Sequence, residues 1–186
     1  MSLQKSKYMK TKLSLLVCLF FVSYFSFAQS DKLFLHNGKT LDVVVVKSEQ
    51  YVITYKYVNE DAEQTVGKVA VEKVIYGKSG REEAITKKVV VNSESDWEKV
   101  EIFYDKAQTT GLTEGLEVKG KTAFINYNTG ASADKKAEEK IKKAAAVLGF
   151  PFVLMTSDKE SNYSSSNGSM GLGSKQSLKK GIAFKY

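Results

Sequence analysis

The sequence predicts an α+β protein: a small antiparallel β-barrel-like unit over residues 29–86, then a β-α-β-β unit with one main helix over residues 87–186. Three observations carry that reading. Residues 31 to about 85 fall into short apolar runs separated by turn residues, the pattern of consecutive hairpins. Only Ala133 to Leu148 repeats apolar residues at three- and four-residue spacing, as one face of a helix requires. Beyond it, Phe152-Val153-Leu154-Met155 and Gly181 to Tyr186 read as strands on either side of a long polar stretch.

The first unit opens with Leu33-Phe34-Leu35-His36, a turn at Asn37-Gly38 and a second strand from Thr40 to Lys47. Asn-Gly between apolar runs predicts a tight hairpin with positive φ at both turn residues. Tyr51, Ile53, Tyr55 and Tyr57 then alternate with Val52, Thr54, Lys56 and Val58, the two faces of one strand. A polar turn, Asn59-Glu60-Asp61-Ala62-Glu63, leads to strands at Thr65–Ala70 and Val71–Tyr76 and to a last run ending at Ile85. Five or six such strands with tight turns make a small, strongly bent sheet or barrel. The layout resembles SH3-like or Sm-like barrels over about 55 residues.

At the joint, Lys87-Lys88 and Asn92-Ser93-Glu94-Ser95-Asp96 bracket Val89-Val90-Val91, with no Pro or Gly tract. The two halves are therefore expected to pack together or share a strand. Further strands are expected at Trp97–Tyr104 and Glu117–Phe124. In the helix, Ala137, Ile141, Ala144, Ala145 and Leu148 form a narrow apolar stripe, and Glu138–Lys142 and Glu139–Lys143 stand at i,i+4 in the favourable order. Ser132 or Asp134 can cap its start, Gly149 suits a left-handed terminus, and Pro151 blocks continuation. Ser157 to Lys180 is rich in Ser, Gly, Asn and Lys and lacks Ile and Val. Such a stretch buries little, so residues 157–180 are expected to be a mobile loop or the tip of a long hairpin.

Glu117, Gly120, Ala137, Ala144, Ala145, Leu148 and Gly149 lie within a stretch of roughly 90 residues that reads strand, strand, helix, strand, loop, strand. Through them the second half resembles the β-α-β-β module of the YbjQ-like group and of the outer-membrane stress-sensor lipoprotein of the Rcs phosphorelay. The resemblance implies a fold. It implies no signalling role, because that sensor is cysteine-bonded, and the "heavy-metal binding" name of some relatives finds no ligand cluster here.

The first 28 residues have the three parts of an export signal. Lysines run to Lys12, an apolar stretch spans Leu13 to Phe27, and Ser26-Phe27-Ala28 presents small residues where signal peptidase inspects them. Cleavage between Ala28 and Gln29 is expected, leaving no transmembrane segment. A lipidated Cys18 is disfavoured, since Val17 precedes it and the chain stays apolar beyond it. The junction and the Leu35-His36-Asn37-Gly38 hairpin resemble exported proteins of Bacteroidetes bacteria, which implies a periplasmic or outer-membrane-associated protein. The formal charge of +7 includes Lys5, Lys7, Lys10 and Lys12 with no acid before Gln29, so the mature chain carries +3. That weakens any nucleic-acid reading. Without Cys18 the mature chain has no cysteine, which removes disulfides, thiolate nucleophiles and cysteine-ligated metals.

Little else in the sequence carries chemistry. His36 is the one histidine, expected as an exposed or half-buried strand residue rather than a general base. The clusters Glu60-Asp61-Ala62-Glu63 and Glu94-Ser95-Asp96 lack calcium-loop spacing. Gly168, Gly171 and Gly173 lack the order and context of a phosphate loop. No catalytic residue, cofactor or metal ligand is therefore assigned. The one candidate ligand face is Tyr51, Tyr55 and Tyr57, with Trp97 joining them; its plain alternative is a barrel core with hydroxyls at the rim. The expected function is an exported, non-enzymatic envelope accessory or interaction module with a protein or glycan partner. A glycan- or peptide-binding module using the tyrosines is the second reading, and a hydrolase with scattered carboxylates the third.

Overall fold

The computed structural model describes residues 30–122, 130–163 and 174–186. The protein is α+β, with two sheets and one main helix. The expected export signal, Cys18 and the Ala28–Gln29 junction lie outside the described residues, as do Phe124 and residues 164–173 of the expected loop.

The first sheet comprises β1 (Asp31–Leu35), β2 (Thr40–Ser48), β3 (Val52–Tyr57), β4 (Glu63–Gly67), β5 (Val71–Ile75) and β6 (Glu82–Ala84). All its pairings are antiparallel, in the order β4-β3-β2-β1-β5-β6. Its curvature follows from chain length. Only Lys68–Ala70 separates β4 from β5, a connection that reaches at most about 14 Å. Four strand spacings in a flat sheet would need about 19 Å. The sheet must curl, and Leu33, Val43, Ile53, Val66 and Val74 meet in one core inside the curl. No ladder joins β4 to β5, so of the expected bent sheet or barrel the structure shows the bent, open sheet.

The Asn37-Gly38 turn also differs from the expected two-residue hairpin. The Gly38 amide donates to the Leu35 carbonyl and the Leu35 amide to the Lys39 carbonyl, both at 2.9 Å. Only Gly38 takes a positive φ, +86°, while Asn37 uses its side chain to accept the Lys39 amide at 3.0 Å. One left-handed residue suffices because the loop holds three residues rather than two.

The second sheet comprises β7 (Glu101–Phe103), β8 (Thr113–Lys121), β9 (Phe152–Tyr163) and β10 (Ser174–Lys185), in the order β7-β9-β10-β8. Helix α1 (Gly130–Val147) connects β8 to β9. Because β10 runs antiparallel to both, β8 and β9 are parallel with β10 inserted between them. The expected β-α-β-β order holds. Gly120 makes the helix fit: a side chain there would overlap the Ala137 carbonyl oxygen.

Strand alternation divides this sheet's contents. On the helix side, Val118, Val153 and Ala183 pack with Ile141, Ala145, Ala146 and Phe150. On the other side Phe103, Phe152, Leu154 and Phe184 meet Val69, Val89 and Leu112. Leu112 also packs against the first core, so the halves share a buried seam, as the Pro-free joint suggested.

Three expectations need correction. Trp97–Tyr104 is not one strand: Glu94–Lys99 is 3-10 helix and only Glu101–Phe103 pairs. Trp97, Val100 and Phe103 recur every third residue, which suits a 3-10 turn better than a strand. Leu148 does not complete the helix stripe. It stands 44% exposed, and the chain turns at Gly149 (φ +73°) to bury Phe150 instead. Finally, the loop reading of residues 157–180 gives way to its hairpin alternative: residues 157–163 and 174–180 are strand, the distal part of a long β9–β10 hairpin.

Candidate functional site

The most unusual side chain is Lys179, on β10, with 2% of its side chain exposed. Alternation from Ala183 and Gly181 puts it on the helix-facing side. Its Nζ lies 2.6 Å from Asp134 Oδ1 on the first turns of α1 and 2.6 Å from Asp158 Oδ2 on β9, its direct cross-strand neighbour. Ser177 Oγ also donates to Asp134 Oδ1, at 3.2 Å. Beside it, the Ser177 amide donates to Thr122 Oγ1 at 2.9 Å and Gln176 Nε2 to the Thr122 carbonyl at 2.5 Å. Helix start, hairpin and the end of β8 therefore converge on one polar centre.

Electrostatics fix its protonation. Burial pushes the Lys179 ammonium toward deprotonation, but hydrogen bonds and attraction from Asp134 and Asp158 outweigh it, leaving the pKa above the ordinary lysine value. A serine and a lysine two residues apart on one strand could suggest nucleophile and base. Here the lysine is held protonated, and the fully buried Ser177 donates its own proton to a carboxylate. The centre ties elements together; it does not activate a hydroxyl.

The second polar centre surrounds His36, which is buried, not exposed or half-buried as expected. Its Nε2 is 3.0 Å from Thr86 Oγ1, and that hydroxyl donates to the Val71 carbonyl at 2.7 Å. With the single hydroxyl proton directed at Val71, His36 Nε2 acts as the donor. The ring meets Tyr186 edge-on at 4.9 Å between centroids. Burial holds the imidazole pKa below its ordinary value, against the pull of Glu72. A neutral, buried ring that donates one bond and packs on another has the character of a structural residue.

The four aromatic residues do not form one face. Tyr55 is 7% exposed and belongs to the first core, while Tyr51 and Tyr57 stand at its rim. Tyr57 meets the Tyr55 ring edge-on at 5.6 Å, and burial together with that neighbour pushes the Tyr55 phenol up to about 12. Trp97 packs in the second core, with Lys143 Nζ 5.5 Å from its ring centroid.

The acidic clusters belong to surface segments: Glu94–Lys99 is 3-10 helix, and Glu60 and Asp61 precede β4, which Glu63 opens. Asp96 accepts the Asn92 amide and pairs with Lys99, which lowers its pKa, and Glu60, Asp61 and Glu63 are exposed. Among the described residues no group of three or more His, Cys, Asp or Glu side chains could hold a metal, and no helix is long and apolar enough to cross a membrane.

The Lys179 centre was missed from the sequence because residues 157–180 read as loop. One signal existed: Ser177, Lys179, Gly181 and Ala183 continue the closing strand's period-2 face back into that stretch. The chain matches no family profile, no curated protein and no solved structure.

Proposed function

We propose that the protein is an exported, non-enzymatic component of the cell envelope that acts as an interaction module through its β9–β10 arm. One observation carries the reading. β9 and β10 pair from Phe152–Phe184 out to Tyr163–Ser174, whereas β7 flanks β9 only at residues 152–154 and β8 ends opposite Leu178. Among the described residues, the outer part of the hairpin therefore pairs as two strands beyond the ends of β7 and β8. An isolated ribbon has marginal stability in water; here Lys179, Asp134, Ser177 and Thr122 brace its base. A braced arm that contributes little to either core is well placed for contact. The burial of His36, Ser177 and Lys179 in structural contacts supports a non-enzymatic role, and the separation of Trp97 from the tyrosines removes support for a ligand face there.

Site-specific photo-crosslinking in living cells tests the reading. A photoreactive residue at Lys159, on the arm, should give a discrete adduct, and one at Lys78, in the first unit, should not. Equal labelling from both positions would count against the arm. Mass spectrometry of the envelope form should find Gln29, free or cyclised to pyroglutamate, at the N-terminus. An intact Met1 or a lipidated Cys18 would overturn the address.

A further inference from the structure

The arm's two faces are electrically different. On the helix side Lys179 is neutralised by Asp134 and Asp158. On the opposite side, register sets Lys119 directly across from Lys180, and Leu178 between Lys121 and Lys159. Strand and residue spacings place these four lysines on a patch about 10 Å by about 7 Å. Lys119, Lys121 and Lys159 are exposed and Lys180 half-buried. Of these four, only Lys119 has an ion pair with another described residue, exposed Glu117 at 3.5 Å.

Like charges directly opposed across two strands destabilise a sheet. Lysines on an edge strand serve to blunt it against foreign pairing, which accounts for Lys119 and Lys121 on β8. It does not account for Lys180, which lies on β10 between two partner strands. We infer that this face docks on a membrane surface bearing anionic phospholipid headgroups. On that face the four lysines stand against one neighbouring acid, Glu117, so the patch keeps a net positive charge. The partner's chemistry follows from what the patch lacks. Among the described side chains it has no arginine for bidentate capture of one shaped anion and no aromatic ring for stacking on bases. A flat set of point charges suits a diffuse anionic surface.

The inference rests on the arm being the contact surface and names one partner for it. The test uses protein purified from the envelope and two vesicle probes, phosphatidylcholine alone and phosphatidylcholine mixed with phosphatidylglycerol. Co-sedimentation should occur with the mixed vesicles only and weaken as salt rises. Each lysine near such a surface contributes roughly a fivefold gain in affinity. Replacing all four (Lys119→Gln, Lys121→Gln, Lys159→Gln, Lys180→Gln) should then reduce binding by about a hundredfold or more. A control set in the first half and at its seam (Lys39→Gln, Lys78→Gln, Lys87→Gln, Lys106→Gln) changes net charge equally and should leave most binding intact. Arginine at the four patch positions should bind as wild type, which guards against loss of fold in the glutamine set. No preference for the anionic vesicles, or equal loss in both glutamine sets, overturns the inference. Capture of a soluble polyanion such as heparin without vesicle binding does so too. Failure here would leave a protein adduct from Lys159 standing, so the two readings fail separately.

Discussion

Removing Lys179 and removing its two partners are different experiments. Lys179→Ala leaves Asp134 and Asp158 with side chains 38% and 42% exposed, free to rehydrate, so the cost should stay below the ~3–5 kcal/mol of stranding a buried charge. Asp134→Asn or Asp158→Asn alone leaves the ammonium one anion at 2.6 Å. The double variant leaves it none, and should approach that full penalty and exceed the sum of the singles. Urea melts decide it; additive singles would show that Lys179 is hydrated. The raised Lys179 pKa adds stability below the ordinary lysine value that is lost only as pH rises through the higher folded value. His36 has the opposite sign. Its folded pKa is lowered, so the unfolded chain binds the proton more readily, and stability present above the ordinary 6.5 falls as pH drops toward the folded value. His36→Ala should cost about 1–3 kcal/mol through the lost bond to Thr86 and flatten that acid limb. An unchanged limb would mean that the ring is solvated.

At the level of elements, α1 was legible because its signals agree: apolar spacing, i,i+4 pairs, Gly149 and Pro151. Its last apolar residue misled, since Leu148 lies past the final turn, where Phe150 takes over the burial. Ile141→Ala, at a fully buried position in the second core, should therefore cost about 2–4 kcal/mol. Leu148→Ala should change stability by no more than about 0.5 kcal/mol. Equal melting shifts would put the helix in another rotation. The arm was not legible for a physical reason. Its outer strands carry Ser, Lys, Gln and Asn, which lack β propensity, and backbone pairing with a buried ion centre supplies what apolar side chains usually do. The candidate ligand face was legible only in part: alternation identified Tyr51, Tyr55 and Tyr57 as one face of a strand, but sequence spacing cannot say which face the curl encloses, nor that Trp97 packs in another core.

On the scale of the whole molecule, the last residue joins the halves. Tyr186 accepts the Val89 amide through its hydroxyl at 2.9 Å, meets His36 edge-on, and packs edge-on against Phe152 at 5.3 Å. A seam that joins Tyr186 with the packing of Leu112, Val69 and Val89 predicts a single unfolding transition in the intact protein. Tyr186→Ala should lower it by about 3–5 kcal/mol and separate the far-UV signals of the two sheets into two steps; a two-step wild type would show that the seam is weak. The most direct measurement of the central claim compares photo-crosslinking from Lys159 with photo-crosslinking from Lys39, in the first unit, on proteins of equal melting temperature. Both side chains are exposed, so exposure alone does not separate them. The account predicts an adduct from Lys159 and none from Lys39. An adduct of equal yield from Lys39, or none from Lys159, would contradict the claim that the arm meets the partner.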